Sequence, residues 1–216
     1  MIYIRKGNEP RSLTEHRSKP GATYDDYQEK DDVRKQLMEE QGHICAYCMR
    51  RISIDKMKIE HWIAQNSKDG SGVDHALEYR NMLGVCLGNQ SHPHNAQTCD
   101  TYRGNKKLFV DPRCEAHIQQ IEYRGDGTIF SRDQRIDDDL NQRLNLNGSE
   151  TELKAGRKEA IRQLQAFLQR KQPRGTWDIG LLKKARSQFA EKKDGKFKPY
   201  VGVLLYQIDQ YLKRTT

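Results

Sequence analysis

Apolar residues recur at helical spacing towards both ends of this chain, whereas its middle carries short, partly alternating runs broken by cysteine, glycine and proline. Over 26–41, Val33, Leu37 and Met38 share one face and Gly42 follows as a C-terminal stop, which predicts a helix. Leu153, Ile161, Leu164, Phe167 and Leu168 form a second helical stripe, closed by Pro173. Ser149-Glu150-Thr151-Glu152 fits a capping box at its start. Two more helices are expected over 177–191 and 200–213. Their apolar faces (Ile179, Leu182, Ala185, Phe189 and Val201, Leu204, Ile208, Tyr211) should pack together. The pattern already turns helical from about residue 134.

Strand signals are weaker. Partial alternation from Ile52 to Ile63 predicts two short strands joined around Asp55-Lys56. The segments 116–123 and 128–131 flank Arg124-Gly125-Asp126-Gly127 and predict a hairpin. Asn66 to Gly72, rich in Ser, Asp and Gly, reads as a loop. Residues 1–25, with Pro10, Pro20 and Gly21, are expected to wrap the surface as an extended arm. There is no internal repeat and no low-complexity tract.

Composition makes the core thin: 35% of the 216 residues are hydrophobic and 31% charged. The net charge of +8 lies in the last third, where residues 151–216 hold 16 Lys and Arg against 6 Asp and Glu; the rest hold 22 against 24. Such a region suits a polyanion, since neutralised phosphates release counterions, or else it is a solvated helical surface. The run Tyr200–Tyr206 is too short to span a bilayer, and the start turns charged before a signal-peptide core could form. A cytoplasmic protein without membrane contact is the expectation.

In that setting five cysteines argue for metal or catalytic use rather than disulfides. Cys45-Ala46-Tyr47-Cys48 presents two thiolates to one metal, and a closed tetrahedral zinc site needs two more ligands. Cys86 and Cys99 can supply them across a 12-residue separation, with His92 and His94 as possible substitutes inside it. The rival is a redox Cys-x-x-Cys, which expects a thioredoxin-like setting that the pattern does not offer. Cys114 reads as an ordinary thiol.

Between the two cysteine pairs stand Glu60-His61, then Asn81, and Asp100 follows Cys99. Phosphodiester hydrolysis needs a deprotonated water, neutralised phosphate charge and a stabilised leaving oxygen. A histidine can take the proton and a divalent cation can do the rest. Adjacent strand residues point to opposite faces, so Glu60 and His61 serve one site only if the strand end is distorted or a helix brings the second ligand around. In isolation they would be a surface pair; bracketed by cysteines, they form a candidate hydrolytic site.

Cys45-x-x-Cys48, Ile59-Glu60-His61, Arg80-Asn81-Met82-Leu83, Cys86, and Cys99-Asp100 with Arg103-Gly104-Asn105-Lys106 resemble the HNH endonuclease family, with its ββα-metal fold. The resemblance implies an α+β chain whose small zinc-stabilised core precedes a mainly helical C-terminal region. His61 would be the general base, Asn81 the brace of its loop, and Glu60 and Asp100 ligands of a catalytic Mg2+ or Mn2+, with Asn105 as the fallback. The family more often has aspartate in place of Glu60, and histidine or asparagine in place of Asp100. Arg103, Lys106 and Lys107 could hold the substrate backbone or form a solvated basic turn, while Trp62 is expected to pack the hairpin.

Four parts follow: an arm and helix (1–42), the nuclease core (43–112), a hairpin (113–133) and a basic helical region (134–216). The blocks Ile4-Arg5-Lys6 to Leu13, Glu40 to Cys48, and Thr98-Cys99-Asp100 look like the PtuB-type HNH proteins of Septu antiphage systems and some retrons. That implies a PtuA-type ABC-like ATPase partner, and in retrons a reverse transcriptase with its RNA–DNA hybrid. The expected activity is phosphodiester hydrolysis of DNA. The rivals are the same chemistry on RNA such as tRNA, and a non-catalytic zinc module that docks nucleic acid or a partner.

Overall fold

A computed structural model describes residues 1–66 and 70–215. The expected extended arm contains a helix, α1 (Arg11–Arg17), which starts immediately after Pro10 and turns Leu13 and His16 inward. Helix α2 (Lys30–Glu40) buries Val33, Leu37 and Met38, as the spacing predicts, with Asp31 and Asp32 at its positive end. It stops in a Schellman motif: His43 N donates to the Met38 carbonyl at 2.8 Å and Gly42 N to that of Glu39 at 3.3 Å. Gly42 has φ +58°, which is why glycine suits the stop.

Strand β1 (Met57–His61) is followed by a short helix, α3 (Ser71–Asp74), and by β2 (Met82–Cys86). The two strands pair antiparallel, Met57 opposite Cys86 and His61 opposite Met82. This corrects the sequence expectation, because Ile54–Lys56 is a 3-10 turn rather than a hairpin joint. The true partner, Met-Leu-Gly-Val-Cys, is buried at every position and so carries no alternation to read. The buried Gln41 amide grips the other edge of β2, accepting from Gly84 N and donating to its carbonyl, both at 2.7 Å. Of the expected 66–72 loop, residues 67–69 lie outside the described residues.

Helix α4 (Cys99–Arg103) packs against β2. Then come α5 (Glu115–Gln119) and the predicted hairpin, β3 (Ile121–Tyr123) with β4 (Ile129–Ser131), although its first half is partly helical. Helix α6 (Gln134–Asp138) widens into a π turn over Asp139–Arg143. Three longer helices follow: α7 (Leu153–Lys171), α8 (Ile179–Ala190) and α9 (Val201–Thr215). The expected capping box does not form. Ser149–Thr151 is a 3-10 turn, Glu152 has φ +59°, and Leu153 N reaches Thr151 Oγ1 at 3.4 Å. Asp178 caps α8 instead, accepting from Leu181 N.

One hydrophobic cluster runs from Met1 through the arm, the first hairpin and the second hairpin to Val203. Ala160, Leu164 and Leu168 of α7 meet Leu182 and Ala185 of α8 and Leu204 and Ile208 of α9 in a second, smaller cluster. The predicted helical faces therefore do pack together, except that Ile179 stays exposed. Arg157 lies fully inside, donating to the carbonyls of Gly127 and Leu146 and to Asn147 Oδ1. It counts towards the basic charge of the last third without adding to its surface. Among the described residues, no helix is long and apolar enough to cross a membrane.

Candidate metal centre and active site

A turn of the backbone aims Cys45 and Cys48. Cys45 N takes the Arg50 carbonyl at 2.9 Å, Met49 N takes that of Cys45 at 3.0 Å, and Met49 adopts φ +62° to close the turn. Cys86 ends β2 and Cys99 begins α4. Their long separation is cancelled at its base, where Thr98 N donates to the Gly88 carbonyl at 2.9 Å. A side chain on Gly88, at φ +57°, would run into the Thr98 carbonyl oxygen. Residues 89–97 thus leave as a separate loop while Cys99 returns to Cys86.

All four cysteines are buried and unbridged, and their sulfurs lie within 4.8 Å of one another. Cys48 and Cys86 are 3.6 Å apart, Cys86 and Cys99 3.8 Å, and Cys45 and Cys99 3.9 Å. Those gaps far exceed a disulfide bond of about 2 Å. A tetrahedron with zinc–sulfur bonds of about 2.3 Å has edges of about 3.8 Å, so the set fits a structural zinc ion. His92 and His94 are exposed and do not replace a cysteine; His94 stacks on Tyr102 with ring centroids 4.4 Å apart. Arg50 Nη2 lies 3.6 Å from Cys86 Sγ and 3.3 Å from Thr98 Oγ1. Burial opposes its charge, but the Cys48, Cys86 and Cys99 sulfurs outweigh burial and raise its pKa. Cys114 stands outside the set, partly exposed at the start of α5.

Glu60 and His61 both end up buried, at 5% and 6% exposure, within the regular β1–β2 register, Glu60 against Tyr47 and Arg103 and His61 against Tyr24 and the Ala76 carbonyl. Tyr47 Oη donates to Glu60 Oε1 at 3.0 Å, and the Arg103 guanidinium pairs with the same oxygen. Burial, then the nearby Asp100 carboxylate, push the Glu60 pKa well above its usual range, while Arg103 opposes them. A buried carboxylate brought beside a second one favours a shared proton or a cation between them. That donor set suits a hard divalent ion. Asp100 remains partly exposed, with Lys58 Nζ at 3.7 Å.

His61 donates through Nε2 to the Ala76 carbonyl at 2.9 Å. Its remaining nitrogen, Nδ1, is then the lone-pair acceptor. Burial lowers its pKa below the ordinary imidazole value, more than the Ala76 bond and Asp100 raise it. Burial thus favours the neutral ring. Asn81, 2% exposed, closes the loop behind it: Nδ2 donates to the carbonyls of Ile63 at 3.0 Å and His75 at 3.2 Å, and Oδ1 accepts from Ile63 N at 2.8 Å. Trp62 packs the hairpin as expected, its Nε1 donating to the Val110 carbonyl at 2.9 Å.

Arg103 differs most from its sequence reading as a substrate contact. It is 1% exposed and donates to Glu60, to the carbonyls of His61 and Trp62 at 3.2 and 2.6 Å, and to that of Lys106 at 2.7 Å. It holds the site together from within. Asn105, Lys106 and Lys107 are exposed on the turn after α4, with Lys106 Nζ 5.3 Å from the Tyr102 ring centre. Sequence reading missed Tyr47, Arg50 and Lys58. The first two sit in or beside the cysteine turn, a position that could have flagged them; nothing in the sequence marks Lys58.

No family model matches the sequence. The chain is 26% identical over 140 residues to the candidate HNH endonuclease of retron Vc95 from Vibrio cholerae serotype O1 biovar El Tor. It is 24% identical over 120 residues to the candidate HNH endonuclease of retron Ec83 from Escherichia coli. These alignments cover 61% and 49% of this chain, and 66% and 46% of the relatives. The chain therefore spans just under two thirds of one relative and less than half of the other. Both similarities support a nuclease of the HNH kind.

Proposed function

We propose that the chain is a metal-dependent HNH endonuclease with a ββα-metal core formed by β1, β2 and α4, and a structural zinc on Cys45, Cys48, Cys86 and Cys99. The observation that carries this reading is the paired arrangement at the end of β1. His61 donates from Nε2 with Nδ1 left as acceptor, and Asp100 lies close enough to both Glu60 and His61 to act on their charges. Names of distant relatives support the same class.

In the proposed reaction, His61 Nδ1 takes a proton from the attacking water while the Ala76 carbonyl holds Nε2–H and so stabilises the imidazolium that results. Asn81 keeps the loop carrying Ala76 in place. Glu60 and Asp100 would hold the divalent cation, Mg2+ or Mn2+, with Arg103 and Tyr47 fixing the Glu60 carboxylate. When bound, that ion supplies charge neutralisation at the scissile phosphate and at the departing 3′ oxygen. In-line attack would leave a 5′ phosphate. Lys106 and Lys107, together with the basic surface of α7 and α8, would track the backbone of DNA, the favoured substrate; RNA such as tRNA is the alternative. The proposed setting is antiphage defence of the PtuB type with a PtuA-type ATPase partner, and in a retron with a reverse transcriptase and its RNA–DNA hybrid.

A cleavage assay on DNA and RNA, with and without added divalent metal, tests the proposal. Replacing His61→Ala should cut the rate by about 100- to 10,000-fold, the usual contribution of a general base. Zinc content should not change. Full activity in that variant refutes the assignment, and nucleic-acid binding without any cleavage supports a docking module instead.

A further inference from the structure

The arm that precedes the candidate nuclease core reaches its candidate base. Tyr24, half-buried between α1 and α2, meets the His61 imidazole edge to face, with ring centroids 4.5 Å apart at 85°. Lys30, the first residue of α2, lies over the same tyrosine ring at 4.8 Å. The segment is held in shape. Asp26 Oδ1 accepts from Thr23 N and Oγ1 at 2.9 and 2.7 Å, and His16 Nε2 donates to the Thr23 carbonyl at 2.9 Å. The arm also grips the loop that holds His61 from the other side. Arg17 Nη1 donates to the Leu77 carbonyl at 3.2 Å, one residue beyond Ala76, whose carbonyl takes His61 Nε2–H.

A hydrogen bond to Nε2 fixes one direction of the imidazole but leaves the ring free to roll about that bond. Rolling would swing Nδ1 away from any water it must deprotonate. An aromatic ring packed edge to face removes that freedom, and such contacts contribute about 0.5–1.5 kcal/mol beyond burial. We propose that Tyr24 is a positioning residue for His61, so that the N-terminal arm is part of the nuclease site. This rests on the nuclease reading above. The aromatic ring carries the role, and the phenolic hydroxyl is dispensable; burial pushes its pKa up to about 12, so it adds no charge near the base.

The test uses the full chain with Tyr24→Phe and Tyr24→Leu, each checked for zinc content and unfolding midpoint. Misplacing a catalytic group by about 1 Å costs on the order of 100-fold. Tyr24→Leu should therefore lower kcat by about 10- to 100-fold with KM for nucleic acid unchanged, and Tyr24→Phe should restore it. Independently of activity, the ring-current displacement of the His61 ring protons in NMR spectra should vanish in Tyr24→Leu and persist in Tyr24→Phe. A raised KM with unchanged kcat would make Tyr24 a substrate contact, and a raised kcat would make it a cover; either overturns the proposal. If the wild type cleaves nothing, the nuclease reading fails, and unchanged His61 ring signals in Tyr24→Leu then refute the positioning role on their own.

Discussion

The cysteine centre and the carboxylate–histidine site share one hairpin but are built in opposite ways. Three of the sulfur pairs stand 3.6–3.9 Å apart and all four sulfurs lie within 4.8 Å of one another, buried together, which suits a closed structural site. Glu60 and Asp100 form only a pair, one member partly exposed, and Glu60 already carries Arg103 and Tyr47. Among the described residues, the cysteines are also the only group of three or more candidate ligands that cluster within reach of one ion. A complete ligand shell holds a metal for the fold. An incomplete one leaves coordination positions for substrate and water, as catalysis requires.

If that contrast is sound, the two halves should fail differently. The largest effect belongs to Cys45→Ser or to stripping metal with a chelator, because structural zinc supplies apparent binding energies of about 10 kcal/mol or more. Loss of bound zinc by elemental analysis and of cooperative unfolding is expected; a metal-free preparation that remains equally stable would sink the structural centre. Next comes Arg103→Met, which removes the guanidinium that pairs with buried Glu60 and donates to three backbone carbonyls, and should cost about 3–5 kcal/mol in urea unfolding. Adding Glu60→Gln should recover part of that loss, and simple additivity would show that the pair is not coupled.

Asn81→Ala removes three hydrogen bonds from the loop behind His61 and should cost about 1–3 kcal/mol. Cleavage should fall with it while zinc content holds, so intact cleavage would argue against a bracing role. The smallest effect is expected at the rim. Lys106→Ala should leave the unfolding midpoint unchanged, yet reduce the salt dependence of nucleic-acid binding by about one phosphate contact. An unchanged salt slope would return Lys106 to a solvated turn.

The ligand set was readable because a Cys-x-x-Cys turn and two later cysteines have few other uses in a chain of this kind. The helix over Lys30–Glu40 and its glycine stop were readable because both signals are local. The strand pairing was not: β2 is buried throughout, so its identity depends on what covers it, and β1 finds its partner some 20 residues on rather than next door. Arg103 misled for a related reason. A basic residue in a Gly-Asn-Lys-Lys context reads as exposed, and only folding α4 against β2 turns it onto Glu60.

By itself, then, the sequence determined the kinds of groups available: four thiols, a histidine, an asparagine and acidic residues in a fixed order along the chain. Tertiary structure decided their company. Closing residues 89–97 away at Gly88 and Thr98 brought a distant cysteine into the cluster as its fourth member. Bringing α4 to β2 set Asp100 beside Glu60, and bringing the N-terminal arm back put Tyr24 against His61. Residue chemistry is inherited position by position, whereas distances between groups follow from which surfaces the whole chain can bury at once.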